Sequence, residues 1–240
     1  MCELEYAQKI ENLMKTSLEK NKETIHELSR VLSDNIKEDR IIHTFGTGHS
    51  HMIGIELFRR AGGLGNVNAL TDPDTVTSNG ASRSGALEKL CGLADIIYDS
   101  YKINKGDLMI ISSNSGRNAV PIEMAMRCRK EGVITVAVTN VAHSSSSSSK
   151  HPSGKRLFEW CDYVLDTCVP FGDTLIEYEG SSFGPGSSII SMYLLNIVIT
   201  EAVKLCLQEG IEVPLLKSRN VDGNNNDVIY KKYQGRIKHS

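Results

Sequence analysis

Apolar residues recur at helical spacing from the start of the chain. Leu4, Ala7, Ile10, Met14 and Leu18 fall on one face, and Ile25, Leu28 and Leu32 continue the pattern. Lys, Glu and Gln fill the positions between, so residues 3–35 predict one long helix. This helix precedes the first strand and has to bury its stripe, either on its own domain or against a partner subunit. From Arg40 the pattern changes. Residues 41–45 predict a short strand, and Gly46-Thr47-Gly48 turns the chain into a helix carrying Ile53, Ile55, Leu57 and Phe58. Residues 67–70, 108–111, 133–138 and 163–165 predict four further strands. A helix with Val120, Ile122, Met124 and Met126 ends at Gly132, and the last long helix spans residues 187–208.

Strands that alternate with helices predict an α/β fold, a three-layer sandwich around a five-stranded parallel sheet. Near-continuous apolar strands such as LMII and VITVAV suit burial on both faces. The expected organisation is a helical extension at 1–35, an α/β domain at 36–215 and a tail at 216–240. Ligands of such sheets bind beyond the carboxyl ends of the strands, near the switch in strand order. The loops after the strands are therefore the places to look for chemistry.

Composition narrows the picture. The 240 residues suit one sizeable domain, and 40% hydrophobic content is ordinary for a chain with a core. Lys plus Arg number 27 and Asp plus Glu 29, a net charge of -2 that gives no electrostatic reason to expect nucleic acid or an anionic membrane as partner. The six cysteines (2, 91, 128, 161, 168 and 206) form no C-x-x-C pair and fit no zinc spacing, so no metal is expected. The charged N-terminus lacks an apolar signal core, and no run approaches the ~20 apolar residues that span a bilayer. A reducing cytoplasm is the simplest setting. Residues 144–149 are all serine, flanked by His143 and His151, and predict a mobile loop: a tolerated insertion, or a lid.

Two strand-to-helix loops carry candidate chemistry. In Ser113-Asn114-Ser115-Gly116-Arg117-Asn118 the following helix offers unpaired N–H groups and a positive dipole end. The Ser113 and Ser115 hydroxyls can donate, Gly116 allows close approach, and Arg117 adds charge, which together suit a phosphate. Serines before a helix are also ordinary N-caps. Gly46-Thr47-Gly48-His49-Ser50-His51 has the same placement. It holds only the start of a dinucleotide fingerprint, and no Walker loop occurs elsewhere, so no nucleotide cofactor is expected. His49 and His51 are two residues apart, on different faces of a helix, so they do not share a metal. One of them contacts ligand or moves protons, or both are surface residues.

These two loops, with the second reading I-S-S-N-S-G-R-N, resemble the sugar isomerase (SIS) domain family. The family's S-x-S-G-x-T pattern is matched by Ser113, Ser115 and Gly116, with Asn118 in place of Thr. The similarity extends over residues 40–208. It implies a flavodoxin-like five-stranded parallel sheet, a bound phosphorylated sugar gripped by Gly48, Ser50, Ser113, Ser115, Gly116, Arg117 and Asn118, and a homodimer or homotetramer with sites near the interface. GTGHS, ELFRRAGG and NVDG more closely resemble a group of uncharacterised bacterial SIS proteins labelled phosphosugar isomerases.

The resemblance leaves the reaction open. The helix-borne catalytic Glu of phosphoheptose isomerases falls on Arg60, and the His of their C-terminal helix has no counterpart in residues 187–208. Glu56, one to two turns past the first loop, faces the sugar or the surface. The N-acetylmuramic acid 6-phosphate etherases share S-G-R at Ser115-Gly116-Arg117 and a Gly/Ser-rich turn before the last helix, here leading to Ser187. Ser187 either donates to the ligand or caps the helix. The comparison points to Glu88, which a solvated charge beside Lys89 would explain equally well. Candidate bases are thus Glu56, Glu88, His49 and His51. The function is a metal-independent sugar-phosphate isomerase or an etherase-type lyase in carbohydrate metabolism, or a non-catalytic phosphosugar-sensing module.

Overall fold

The computed structural model describes residues 4–223 and 226–238. Two helices open the chain, α1 (Glu5–Lys20) and α2 (Lys22–Lys37). Then follow β1 (Ile42–Gly46), α3 (His51–Leu57), β2 (Val67–Leu70), α4 (Ala81–Leu87), α5 (Leu93–Asp99), β3 (Leu108–Ser112) and α6 (Ala119–Glu131). The second half contains β4 (Ile134–Thr139), α7 (Val141–Ser146), β5 (Tyr163–Asp166), the hairpin β6 (Ile176–Tyr178) and β7 (Ser181–Phe183), the long α8 (Ser187–Gln208) and α9 (Asn226–Tyr233).

β1 to β5 form one parallel sheet in the order β2-β1-β3-β4-β5. Side chains alternate between its faces. Ile42, Val67, Leu108, Ile110, Val136 and Val138 join α1, α2, α3 and α8 in one core. Phe45, Leu70, Met109, Ile111 and Ala137 join α5 and α6 in the other. The result is the expected three-layer α/β sandwich. The strand order reverses between β1 and β3, so the crevice lies where their carboxyl ends diverge.

Two expectations are corrected. The single long N-terminal helix is two helices, broken at Asn21. The Asn21 side chain is buried and is spent on β5: its Nδ2 donates to Asp166 O at 2.8 Å, and its Oδ1 accepts from Asp166 N–H at 2.7 Å. The break shifts the buried stripe. Ile10, Leu13 and Ser17 of α1 are buried, whereas Leu4 and Leu18 are exposed. α2 packs along α8 through Leu28 and Leu32, so the extension lies on its own chain. The polyserine run is not a mobile loop over its whole length. Its first three residues complete α7, capped by Asn140, whose Oδ1 accepts the His143 N–H at 2.9 Å. Ser144 is fully buried.

α8 is, among the described residues, the helix long and apolar enough to cross a membrane by length and composition. Here it is a core helix, burying Ile190, Leu194, Leu195, Val198 and Ala202. At the C-terminus α9 returns to the sheet, where Tyr233 and Ile237 pack on Ile41. Asn224 and Asn225 of the Asn-rich stretch lie outside the described residues.

Candidate functional site

Both loops singled out in the sequence emerge at the switch point, after β1 and β3. Gly46 ends β1 where a Cβ would stand 2.6 Å from the backbone of Ser50, so only glycine permits this tight entry into α3. Gly48 takes a left-handed φ of 57° and its N–H donates to Thr75 O at 2.8 Å, which anchors the loop on the segment after β2. Ser50 precedes α3 without capping it, and the first N–H groups of α3 close onto the loop, Met52 N–H donating to His49 O at 3.1 Å and Ile53 N–H to Ser50 O at 3.3 Å.

The second loop is held from below. Asn114 O accepts from Asn140 N–H and from the Thr139 hydroxyl, and Asn114 Oδ1 accepts from the Thr167 hydroxyl at 3.2 Å. Asn114 thereby ties the loop to the ends of β4 and β5. Ser113 Oγ accepts the Gly116 N–H at 3.3 Å. Gly116 has φ 56°, and a Cβ there would meet Ser144 Oγ and Thr139 Oγ1 at 3.0 Å. The small serine side chain of the polyserine run is what fits beneath this glycine. Among the described residues no hydrogen bond engages the Ser50 or Ser115 hydroxyl, and both residues are half-buried.

Glu88 joins the two loops. It follows α4, and its backbone carbonyl accepts from Val120 N–H in the first turn of α6. Its Oε2 accepts from the Thr47 hydroxyl at 2.8 Å, and its Oε1 accepts from Asn118 Nδ2 at 2.7 Å. The solvated-charge reading of Glu88 therefore does not hold. Asn118, standing where the family pattern has Thr, supplies one of the two donors, and its own Oδ1 is buried without a partner.

The other candidates are placed differently. His51 Nδ1 contacts Gly48 O, leaving Nε2 as its outward atom, and His49 is exposed. Glu56 pairs with Arg60 one turn along and accepts from Asn196 of α8 at 3.4 Å. Arg117 donates from Nε to Ser148 O at 3.0 Å, so its charge lies against the polyserine segment. Ser187 does not cap α8, whose N-cap is Gly186; its hydroxyl is spent on an acid from a distant turn, which the sequence reading missed and which receives the N–H groups at the helix start. Asp173 accepts from Gly186 N–H (3.0 Å), Ser187 N–H (2.8 Å) and Ser187 Oγ (2.6 Å). Asp173 itself sits at φ 59°, an uncommon left-handed conformation for a non-glycine residue.

His143 was also missed. Its ring packs on Phe171 with centroids 4.3 Å apart. Burial, and then the positive charge of Arg117, lower its pKa, while Asp173 opposes the shift. Its position just past the fourth strand, where α/β ligands sit, was the available signal. Asp173 gave none, because it lies in an irregular turn far along the chain.

A parallel sheet in this order, with two glycine-shaped loops at its switch point, defines a doubly wound α/β domain whose candidate site lies in that crevice. The chain belongs to the SIS domain family, whose model matches residues 5–140. Its relatives are the UPF0309 proteins. It is 36% identical to one from Caldanaerobacter subterraneus over 241 residues, covering 98% of this chain and 97% of the relative. It is also 36% identical to one from Streptomyces avermitilis, covering 94% and 92%. Among solved structures the fold resembles phosphoheptose isomerase from Francisella tularensis (TM-score 0.53, 10% identity, 85% and 100% covered). The enzyme of that name from Neisseria gonorrhoeae gives 0.51 at 13% identity, with 83% and 95% covered. The Vibrio vulnificus NanR protein complexed with ManNAc-6P gives 0.50 at 13% identity, with 85% and 63% covered.

Proposed function

We propose that the crevice between the β1 and β3 loops binds a phosphorylated sugar, and that the protein acts on it as a metal-independent isomerase or etherase-type lyase with Glu88 as the base. The observation that carries this reading is the Glu88 carboxylate, held between Thr47 of the first loop and Asn118 of the second. The Ser50 and Ser115 hydroxyls, engaged by no hydrogen bond among the described residues, offer an anion neutral donors. The phosphate fixes one end of the sugar, which leaves its carbon skeleton to reach a carboxylate at the same crevice. Both reactions begin by removing a proton beside a carbonyl, a step that a positioned carboxylate performs. Glu88 then carries the proton to the neighbouring carbon in isomerisation, or leaves elimination to follow. The phosphoheptose isomerases that share the fold support the enzyme reading, and NanR with its sugar phosphate supports the sensing alternative.

We infer also that the working unit is a homodimer or homotetramer. Leu4, Tyr178, Phe183 and Ile189 are exposed, and the Tyr6 hydroxyl bonds Pro185 O at 2.6 Å, which brings the start of α1 to the turn between the hairpin and α8. The five described cysteines are free thiols, which suits a cytoplasmic setting.

Incubation with aldose and ketose 6-phosphates in deuterated water, followed by NMR, tests the chemistry. The expected result is deuterium at the sugar carbon beside the carbonyl, or elimination, with Glu88→Gln slowing the reaction about 100-fold or more. The glutamine side chain can keep both contacts, its Oε1 accepting from Asn118 Nδ2 and its Nε2 donating to the Thr47 hydroxyl oxygen. An undiminished rate in Glu88→Gln removes Glu88 as the base. Binding without exchange or elimination on any substrate favours the sensor.

A further inference from the structure

Away from the crevice, three chemically different side chains converge from three separate segments. Cys91 lies between α4 and α5, Glu123 lies on α6, and His151 follows the polyserine run. One ligand atom from each lies within 4.8 Å of the others. We propose that Cys91, Glu123 and His151 form a binding site for a thiophilic divalent cation, zinc being the fitting ion.

The donor set is one thiol, one imidazole and one carboxylate, the mixture that borderline-soft Zn²⁺ takes. In a tetrahedral zinc site with bonds of about 2.0–2.3 Å, ligand atoms stand roughly 3.3–3.7 Å apart. His151 Nε2 and Glu123 Oε1 are already 3.4 Å apart, and the Cys91 thiol lies within 4.8 Å of both residues' ligand atoms. At most about 1 Å of closure is required, and Cys91 is exposed and sits in a link between helices, where such a shift costs little. A thiolate and a carboxylate supply two negative charges to match the ion, and the fourth position is left to water.

The surroundings orient the ligands. Glu123 Oε2 accepts the Gly92 N–H at 2.7 Å. His151 Nδ1 accepts the Ser153 N–H at 3.2 Å and lies 2.8 Å from the Ser153 hydroxyl, so without an ion the proton sits on Nε2; a metal at Nε2 moves it to Nδ1, where the Ser153 hydroxyl accepts it. Glu123 and His151 line an open groove of about 290 Å³, which gives an ion a path in. Arg127 borders the groove, but Asp95, Asp99 and Glu131 engage its guanidinium. Pairwise cysteine spacing cannot reveal such a set, because its members are 32 and 28 residues apart in sequence. The ion would join the segment that carries Glu88, the helix that begins after Asn118, and the stretch that Arg117 grips through Ser148 O and Lys150 N–H.

The metal-free full-length chain is titrated with Co²⁺, then Zn²⁺, without any sugar, so the outcome is independent of the crevice reading. The expected result is one equivalent bound with a thiolate-to-cobalt band in the near ultraviolet, displaced by zinc. Cys91→Ser abolishes the band, and His151→Ala weakens binding by about 100-fold. In the unsubstituted chain, zinc slows alkylation of Cys91, read by mass spectrometry, by at least about tenfold. This readout needs no variant to fold. Cobalt binding without the band, a band that survives Cys91→Ser, or Cys91 alkylation unaffected by micromolar zinc overturns the proposal.

Discussion

At the buried end of β3, Asp107 serves three donors with one carboxylate. Its Oδ1 accepts Ile41 N–H at 3.0 Å, and its Oδ2 accepts Asn104 N–H at 2.8 Å and lies 3.2 Å from His43 Nε2. Asn68 Nδ2, 3.2 Å from His43 Nδ1, turns the Nε2–H toward the acid. Burial raises the Asp107 pKa, but the bonds from His43, Asn104 and Ile41 outweigh it and hold the carboxyl below its usual range. The unfolded chain therefore binds the proton more readily. The stability gained is complete above the unfolded value near pH 4 and is lost as pH falls through the folded value. Asp107→Asn keeps one oxygen, which in the Oδ2 position still serves Asn104 and His43 and leaves the Ile41 N–H unpaired, a buried donor that costs roughly 1–3 kcal/mol. Urea unfolding at pH 7 should show a loss in that range, and the stability difference from the unsubstituted chain should shrink below pH 4. The backbone of the loop after β3 was legible because glycines and serines at a strand-helix junction report local geometry. Glu88 was readable only as one of four candidates, and His143 and Asp173 not at all, because their contacts are with partners distant in sequence, as the Glu88–Asn118 pair, 30 residues apart, illustrates.

Asn21 shows the same limit for an element. Lys15, Glu19, Lys20, Lys22 and Glu23 supply helix formers on both sides of Asn21, and neither Gly nor Pro interrupts them, so local preference continues the helix. The break arises because one asparagine satisfies both backbone groups of Asp166 on the edge strand β5. Asn21→Leu preserves helix propensity and removes both bonds. It should destabilise the fold by roughly 1–3 kcal/mol, measured by chemical denaturation, because the Asp166 amide and carbonyl lose their partner. No loss would mean that the break is set elsewhere. The five strands of the parallel sheet, by contrast, were readable to within a residue or two, because continuous apolar runs such as residues 108–111 are buried on both faces; the exposed hairpin at 176–183 carries no such run and was not. The polyserine run misled because its composition is that of a loop, while Ser144 is chosen for size beneath Gly116.

For the whole molecule, the order β2-β1-β3-β4-β5 places every phosphate-binding candidate except Ser187 on the two loops at one crevice, and Glu88 connects them. The apolar residues left outside at α1, the hairpin and α8 predict self-association, and light scattering at micromolar concentration should give a dimeric or tetrameric mass; a strictly monomeric mass contradicts it. The central claim is the phosphate crevice itself. A ligand that binds only the native state raises its stability by mass action. The most direct measurement is the melting temperature with sugar 6-phosphates against the matching free sugars. The account predicts a concentration-dependent rise with at least one phosphorylated sugar, none with its unphosphorylated form, and a reduced rise in Ser115→Ala. Equal shifts with both forms, or a rise that Ser115→Ala leaves intact, would contradict it.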